Sequence, residues 1–100
     1  MPRLDVYRMP GRRSGYVVDV QADLLDFLTT RTVVPLLEAA SAPPPIRDLH
    51  PVFDIFSVAH VMATHQIASV SLRDLKRPVA SLMSNHDTIT RALDQLFQGF

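Results

Sequence analysis

Cysteine is absent from these 100 residues, so the chain has no disulfide framework and no thiolate chemistry, which suits a reducing compartment. An excess of charge of either sign is missing as well, because 10 Lys and Arg balance 10 Asp and Glu. That argues against a protein whose main work is to coat phosphate backbones, although a local basic patch stays open. No apolar run approaches the roughly 20 residues that span a bilayer, and Met1 to Arg3 lead into a strand-like pattern in place of a signal peptide. The expectation is a soluble, cytoplasmic protein. Repeats, a long linker and a second domain are lacking too, which predicts one domain over residues 1–100. With 47% apolar residues its core is real but modest, and self-association is a natural way to gain buried surface.

What the chain does have is an apolar helical stripe that runs to its end. Ile89, Leu93, Leu96 and Phe97 fall at i, i+4, i+7 and i+8, one face of a 3.6-residue helix, and Ala92 thickens the stripe. Ser84 or Asn85 is placed to cap the entry, and Asp87 to complement the macrodipole and pair with Arg91. The pattern predicts a helix of about four turns, left at Gly99, with Phe100 carrying both a ring and the terminal carboxylate. The ordinary role of such a stripe is core packing, and Phe97 on it can face inward.

The rest reads as strands. Leu4, Val6 and Arg8 alternate with Asp5, Tyr7 and Met9 up to Pro10-Gly11, and Tyr16 to Gln21 is a β-branched second strand across the basic loop 11–15. Thr32 to Val34 predicts a third strand, with Pro35 marking an edge or an exit from the sheet. Leu36 to Ala40 fits a helical turn or more strand, and residues 41–45 form a loop held extended by their prolines. Val52 to Phe56 and His60 to Ala63 are strand candidates around a short turn, followed by Ile67 to Val70, while Pro78 breaks any helix over residues 72–82. Strands first and a helix last, without βαβ alternation, predict an α+β protein: an antiparallel sheet or small barrel closed by one helix.

Residues with chemical potential give no catalytic constellation. Asp19, Asp23 and Asp26 cluster after the second strand, where carboxylates serve as acid and base, bind a metal or, more commonly, accept backbone N–H bonds in turns. The 4 histidines, His50, His60, His65 and His86, match no zinc spacing. Arg8, Arg12 and Arg13, and separately Arg73, Lys76 and Arg77, make two small basic groups whose ordinary role is solvated surface. Ser14, Ser41 and Ser69 lack a nucleophile-elbow context.

At Val18-Asp19-Val20-Gln21, with Asp23, Asp26, Arg31, Val33 and Pro35-Leu36 following, the chain resembles the CcdB family of toxin-antitoxin toxins. His50-Pro51-Val52, Thr64, Ala68-Ser69-Val70, and Ile89, Ala92, Phe97 and Gly99 continue the resemblance in register from Leu4 to Phe100. It implies a homodimer with an SH3-like barrel core, a main antiparallel sheet and a long C-terminal helix, the CcdB/MazF-like toxin fold. It further implies a non-enzymatic poison, without metal or cofactor, that binds the A subunit of DNA gyrase and traps it on cleaved DNA. The gyrase-binding positions it implies are Leu24, Leu25, Asp94, Phe97, Gln98, Gly99 and Phe100. Asp94 replaces a neutral amide there, and Gln98 stands where the family's well-studied toxins have tryptophan, an interface residue whose loss commonly costs about 2 kcal/mol or more. Neutralisation by a CcdA-like antitoxin that folds on the toxin is implied as well, with Arg8, Arg12 and Arg13 as the dock for an acidic segment. Toxin and antitoxin together are expected to repress their own operon, the antitoxin supplying most of the DNA contact. The alternatives are an antitoxin-binding relative with weak or lost gyrase poisoning, and, by fold analogy alone, a MazF-like ribonuclease toxin.

Overall fold

A computed structural model describes residues 2–12 and 14–99. Seven strands build one antiparallel, nearly closed sheet: β1 (Asp5–Arg8), β2 (Tyr16–Asp19), β3 (Thr30–Glu38), β4 (Val52–Ile55), β5 (Val58–Met62), β6 (Ala68–Ser71) and β7 (Ala80–Ser81). The helix α1 (His86–Gln98) closes it, giving the α+β architecture expected from the sequence. The strand order is β4-β5-β3-β2-β1-β7, and β6 also pairs with β3.

β3 organises the sheet because it has two partners on one edge. Residues Thr30 to Val33 pair with β6, and Leu36 to Glu38 with β5. Its other edge pairs with β2 from Val33 to Leu36. Pro35 therefore sits inside the longest strand, opposite Val17, and does not mark an edge or an exit as its residue type suggests. The reason is local. Val20 N–H donates to Thr32 O, so by alternation the Pro35–Val17 pair is a non-hydrogen-bonded one and the proline nitrogen faces the opposite edge. There it falls in the gap between β6 and β5, where its carbonyl still accepts the Ala63 N–H at 2.9 Å. The return bond that proline cannot give is replaced, because Ala63 O takes the Gln66 N–H at 2.8 Å.

Alternation along β1, β2 and β3 sends apolar side chains to both faces. Val6, Val18 and Val34 line up across the three strands and pack with Leu36, Met62, Leu82, Ile89 and Ala92 into the main core beneath α1. Tyr7, Val17, Val33 and Leu75 form a second, smaller core on the reverse face. Sheets buried on both sides read as near-continuous apolar runs, which is why Val17-Val18 and Val33-Val34 come in pairs. The hairpin β4–β5 turns on Phe56 and Ser57, both at positive φ (52° and 66°), the two-residue geometry whose twist suits antiparallel strands.

The helix begins one residue after Asn85, but neither Ser84 nor Asn85 caps it with a side chain; a 3-10 turn over Met83–Asn85 leads the chain in. Asp87 lies in the first turn as expected, with its carboxylate 3.4 Å from His86 Nδ1 and not paired with Arg91. Gly99 ends the helix in the left-handed conformation (φ 80°), where a side chain is strained, and its N–H returns to Gln95 O at 3.0 Å.

Tyr7 is buried in the second core, and burial, followed by the Asp5 and Asp19 charges, pushes its phenol up to about 12 from 10.0. The unfolded phenol ionises first, so stability is intact below about pH 10 and is lost as the pH rises toward 12, by roughly 3 kcal/mol. Urea unfolding followed across that range is expected to show this loss, and Tyr7→Phe to abolish it.

Candidate functional site

The segment between β2 and β3 carries its apolar side chains outward. A 3-10 turn over Asp23–Leu25 and the following turn, closed by Leu28 N–H to Leu25 O at 3.1 Å, leave Leu24 85% and Phe27 78% exposed, with Leu25 and Leu28 partly so. Such a loop collapses inward unless something fixes it, and what fixes it is polar.

Arg31, at the start of β3, is wholly buried. Its Nε donates to Asp19 Oδ2 at 2.9 Å and its Nη2 to the same oxygen at 2.6 Å, while Nη1 reaches Asp26 Oδ1 at 2.6 Å. Asp19 is equally buried and takes the Gln21 N–H on Oδ1 at 3.0 Å. Gln21 extends the network: its Nε2 donates to Leu25 O and its Oε1 accepts the Thr32 N–H, both at 3.0 Å. Burial pushes the Asp19 carboxyl up against the pull of Arg31 and the Gln21 amide. Burial also works against the Arg31 charge, but Asp19 and Asp26 outweigh it and hold the guanidinium above its ordinary value. From outside, the Arg3 backbone N–H donates to Asp23 Oδ1 at 2.8 Å, and Leu72 N–H to Thr29 O at 2.9 Å. The aspartates that the sequence offers as acid, base or metal ligands are thus the loop's anchors, with Asp26 the rim of the network. Among the described residues no three His, Cys, Asp or Glu side chains are placed to hold a metal.

The helix approaches the same loop. Ile89 and Ala92 are fully buried, Leu93 and Leu96 half-buried, and Phe97 is 69% exposed. The stripe therefore leaves the core along its length, and Phe97 is surface and not core. A groove of about 340 Å³ opens between the two elements, lined by Leu25 and Leu28 from the loop, Leu93 and Phe97 from the helix, and Ile67 from the segment before β6. Leu25 and Phe97, both singled out in the sequence, meet in it; Leu24 and Phe27 stand beside Leu25 on the loop. Asp94, one turn before Gln98, accepts its side-chain amide at 3.5 Å, so Gln98 folds back on its own helix. Gln98 and Gly99 are exposed, and Phe100 lies outside the described residues. Large apolar side chains exposed in one contiguous patch mark a surface that another molecule covers.

The basic residues lie elsewhere. Arg8 is exposed with its guanidinium carbon 5.9 Å from the Tyr16 ring centroid, and with Lys76 and Asp74 it lines a separate groove beside the Pro10-Gly11 turn. Arg12 is exposed in that turn; Arg13 lies outside the described residues. His60, five residues from His65 in sequence, is buried on β5 with Nδ1 2.8 Å from Val58 O. His65 instead meets His50 at 2.8 Å.

A model of the family described as CcdB protein matches residues 3–99 of the chain.

Removing one side of a buried ion pair strands the other, which typically costs about 3–5 kcal/mol, whereas an exposed partner is worth about 1 kcal/mol or less. Asp19→Ala is therefore expected to lower the urea-unfolding free energy by about 3–5 kcal/mol and Asp26→Ala by about 1. Equal losses from the two substitutions would contradict an anchor built from the Asp19 side.

Proposed function

The chain belongs to the CcdB family, toxins of toxin-antitoxin systems, and from that premise we propose that it is a gyrase poison acting as a cytoplasmic homodimer. It binds the A subunit of DNA gyrase through the face where the Leu24–Leu28 loop meets the end of α1, and traps the enzyme on cleaved DNA. The observation that carries the reading is the meeting of Leu25 and Phe97, from opposite ends of the chain, in one exposed apolar groove. On this reading the contact residues are Leu24, Leu25, Asp94, Phe97, Gln98, Gly99 and Phe100. The chemistry asked of them is binding: apolar side chains held out on a loop pinned from inside, beside the end of a helix, supply area and shape and no general acid or base.

The antitoxin reading rests on a different surface. We propose Arg8, at the end of β1, and Arg12 and Arg13, which follow it in sequence, as the dock for an acidic segment of a CcdA-like antitoxin. The groove beside Arg8 shares no residue with the Phe97 groove, which lets neutralising and poisoning partners start from separate contacts. Operon repression then falls to the pair, since this chain carries no net charge with which to hold DNA alone.

Gln98 favours a second reading. An amide folded back onto Asp94 offers none of the area of the family's tryptophan, so a relative that keeps dimerisation and antitoxin binding but poisons gyrase weakly fits this position.

The two readings part in a supercoiling assay with purified gyrase that also scores trapped, cleaved DNA. Trapping by the unsubstituted chain, lost in Phe97→Ala and in a chain lacking residues 98–100, is the outcome expected of a poison. Intact antitoxin binding with unaffected gyrase selects the second reading. Gln98→Trp is expected to strengthen gyrase binding by about thirtyfold, equivalent to about 2 kcal/mol, in either case.

A further inference from the structure

The loop between β3 and β4 is closed by one histidine. His50 N–H donates to Ile46 O at 2.8 Å, and Ile46 N–H donates back to His50 Nδ1 at 2.9 Å, so backbone and ring of the same residue close one turn. The ring is held in turn by His65, on the 3-10 turn Thr64–Gln66: His50 Nε2 and His65 Nδ1 are 2.8 Å apart, with the rings edge to face at 4.8 Å. Thr64 adds a hydroxyl donation to Leu49 O at 2.5 Å.

The protons in this chain follow from one donor. A backbone N–H only donates, so His50 Nδ1 is unprotonated and the neutral ring carries its hydrogen on Nε2. That hydrogen points at His65 Nδ1, which must accept it. Only neutral rings satisfy both bonds. A second proton on His50 sets Nδ1–H against the Ile46 N–H, and one on His65 sets Nδ1–H against His50 Nε2–H. Either way a bond becomes a contact between two donors.

We propose that the His50–His65 pair is a pH-operated latch, in which neutral rings hold the loop of residues 39–51 onto the Thr64–Gln66 turn and protonation of either ring releases it. Release loosens the small cavity of about 60 Å³ that Pro43 and Pro44 of the loop form against Leu37, Val61 and Ala63 of the sheet. Burial, followed by the charge of His65, holds His50 below its ordinary value of 6.5. Of the other titratable groups on the elements around it, Glu38 on β3, Arg47 and Asp48 in the loop and His60 on β5, none contributes to that shift. A folded-state value below the unfolded one means that the latch contributes fully above about pH 6.5 and weakens as the pH falls through it. The device is independent of what the Phe97 face binds.

Imidazole nitrogen NMR at about pH 7.5 reads the tautomer, and amide exchange at Ile46 reads the latch. The expected result is His50 protonated at Nε2, with Ile46 protection falling about tenfold between about pH 7.5 and pH 5 after correction for intrinsic exchange, while Val34 in β3 keeps its protection. His50→Asn sets a non-titrating carbonyl where Nδ1 accepts, and is expected to flatten the change to within about twofold. A His50 ring protonated at Nδ1 at about pH 7.5, unchanged protection in the unsubstituted chain, or a tenfold fall that survives in His50→Asn each overturns the proposal. Tautomer and protection are read on the unsubstituted protein, so a variant that fails to fold leaves the test intact.

Discussion

A guanidinium with no solvent contact has to find its partners inside the protein, and the placing of Arg31 under that constraint decides much of what surrounds it. Arg31 opens β3, the strand that β2, β5 and β6 all pair with. Its carboxylates come from the end of β2 and from the loop that joins β2 to β3, so the pair ties the two ends of that loop to one charge. Neutral hydrogen bonds alone hold a turn loosely in water, because solvent competes for each of them. A buried charge raises the cost of letting go, since opening the loop leaves Arg31 unpaired in a low-dielectric interior. The outward Leu24 and Phe27 follow from this. Apolar side chains on a free loop fold inward; on a loop pinned through Asp19, Gln21 and Asp26 they stay out.

The second constraint is the division of one β3 edge between two partners. Where β6 stops and β5 begins, the backbone donor of β3 has no strand to serve, and proline occupies that position. The same gap admits the Ala63 N–H to the Pro35 carbonyl, which steers the chain from β5 into the 3-10 turn that bears Thr64 and His65. From there it runs back through Ile67 into β6. The site face and the histidine pair are thus set by a shared junction: Ile67 lines the apolar groove, while His65, two residues earlier, faces the proline loop.

What was legible in the sequence divides along physical lines. The strands over residues 4–9 and 16–21, the helix and its exit at Gly99 are local matters of periodicity and backbone freedom, and they stand as read apart from boundary shifts of a residue or two. The family resemblance agrees with the matched span of residues 3–99. Arg31 belongs to that resemblance, but its burial is not legible in the sequence, because arginine in a strand ordinarily lies on the surface and no spacing rule joins it to Asp19 and Asp26. A signal did exist: three aspartates within eight residues, a lone arginine just after them and no lysine near. Pro35 misled because its residue type reports a missing donor and says nothing about which edge needs one. His50 and His65 sit on separate turns, where neither a helical nor a strand period applies. Phe97 was undecidable in principle, since an apolar stripe states that a face is to be covered and not by what.

The last turn of the helix illustrates that limit and gives it functional weight. The stripe passes from Ile89 and Ala92, fully buried, through Leu93 and Leu96, half covered, to Phe97 in solvent, so each turn hands more of its apolar face to whatever lies outside the chain. On the proposed reading that outside partner is gyrase, and affinity depends on how much of the exposed area is ring and how much is amide. Gln98 weakens the helix end in one respect and shields it in another: its amide closes on Asp94 and presents a polar surface beside Phe97, which lowers the penalty of leaving the face uncovered. A tryptophan there would bind more tightly and also expose more apolar surface in the free protein. On the same reading the substitution shifts the balance from affinity toward solubility of the unbound chain, and Phe97 with Leu24 and Leu25 on the pinned loop is left to carry the apolar contact.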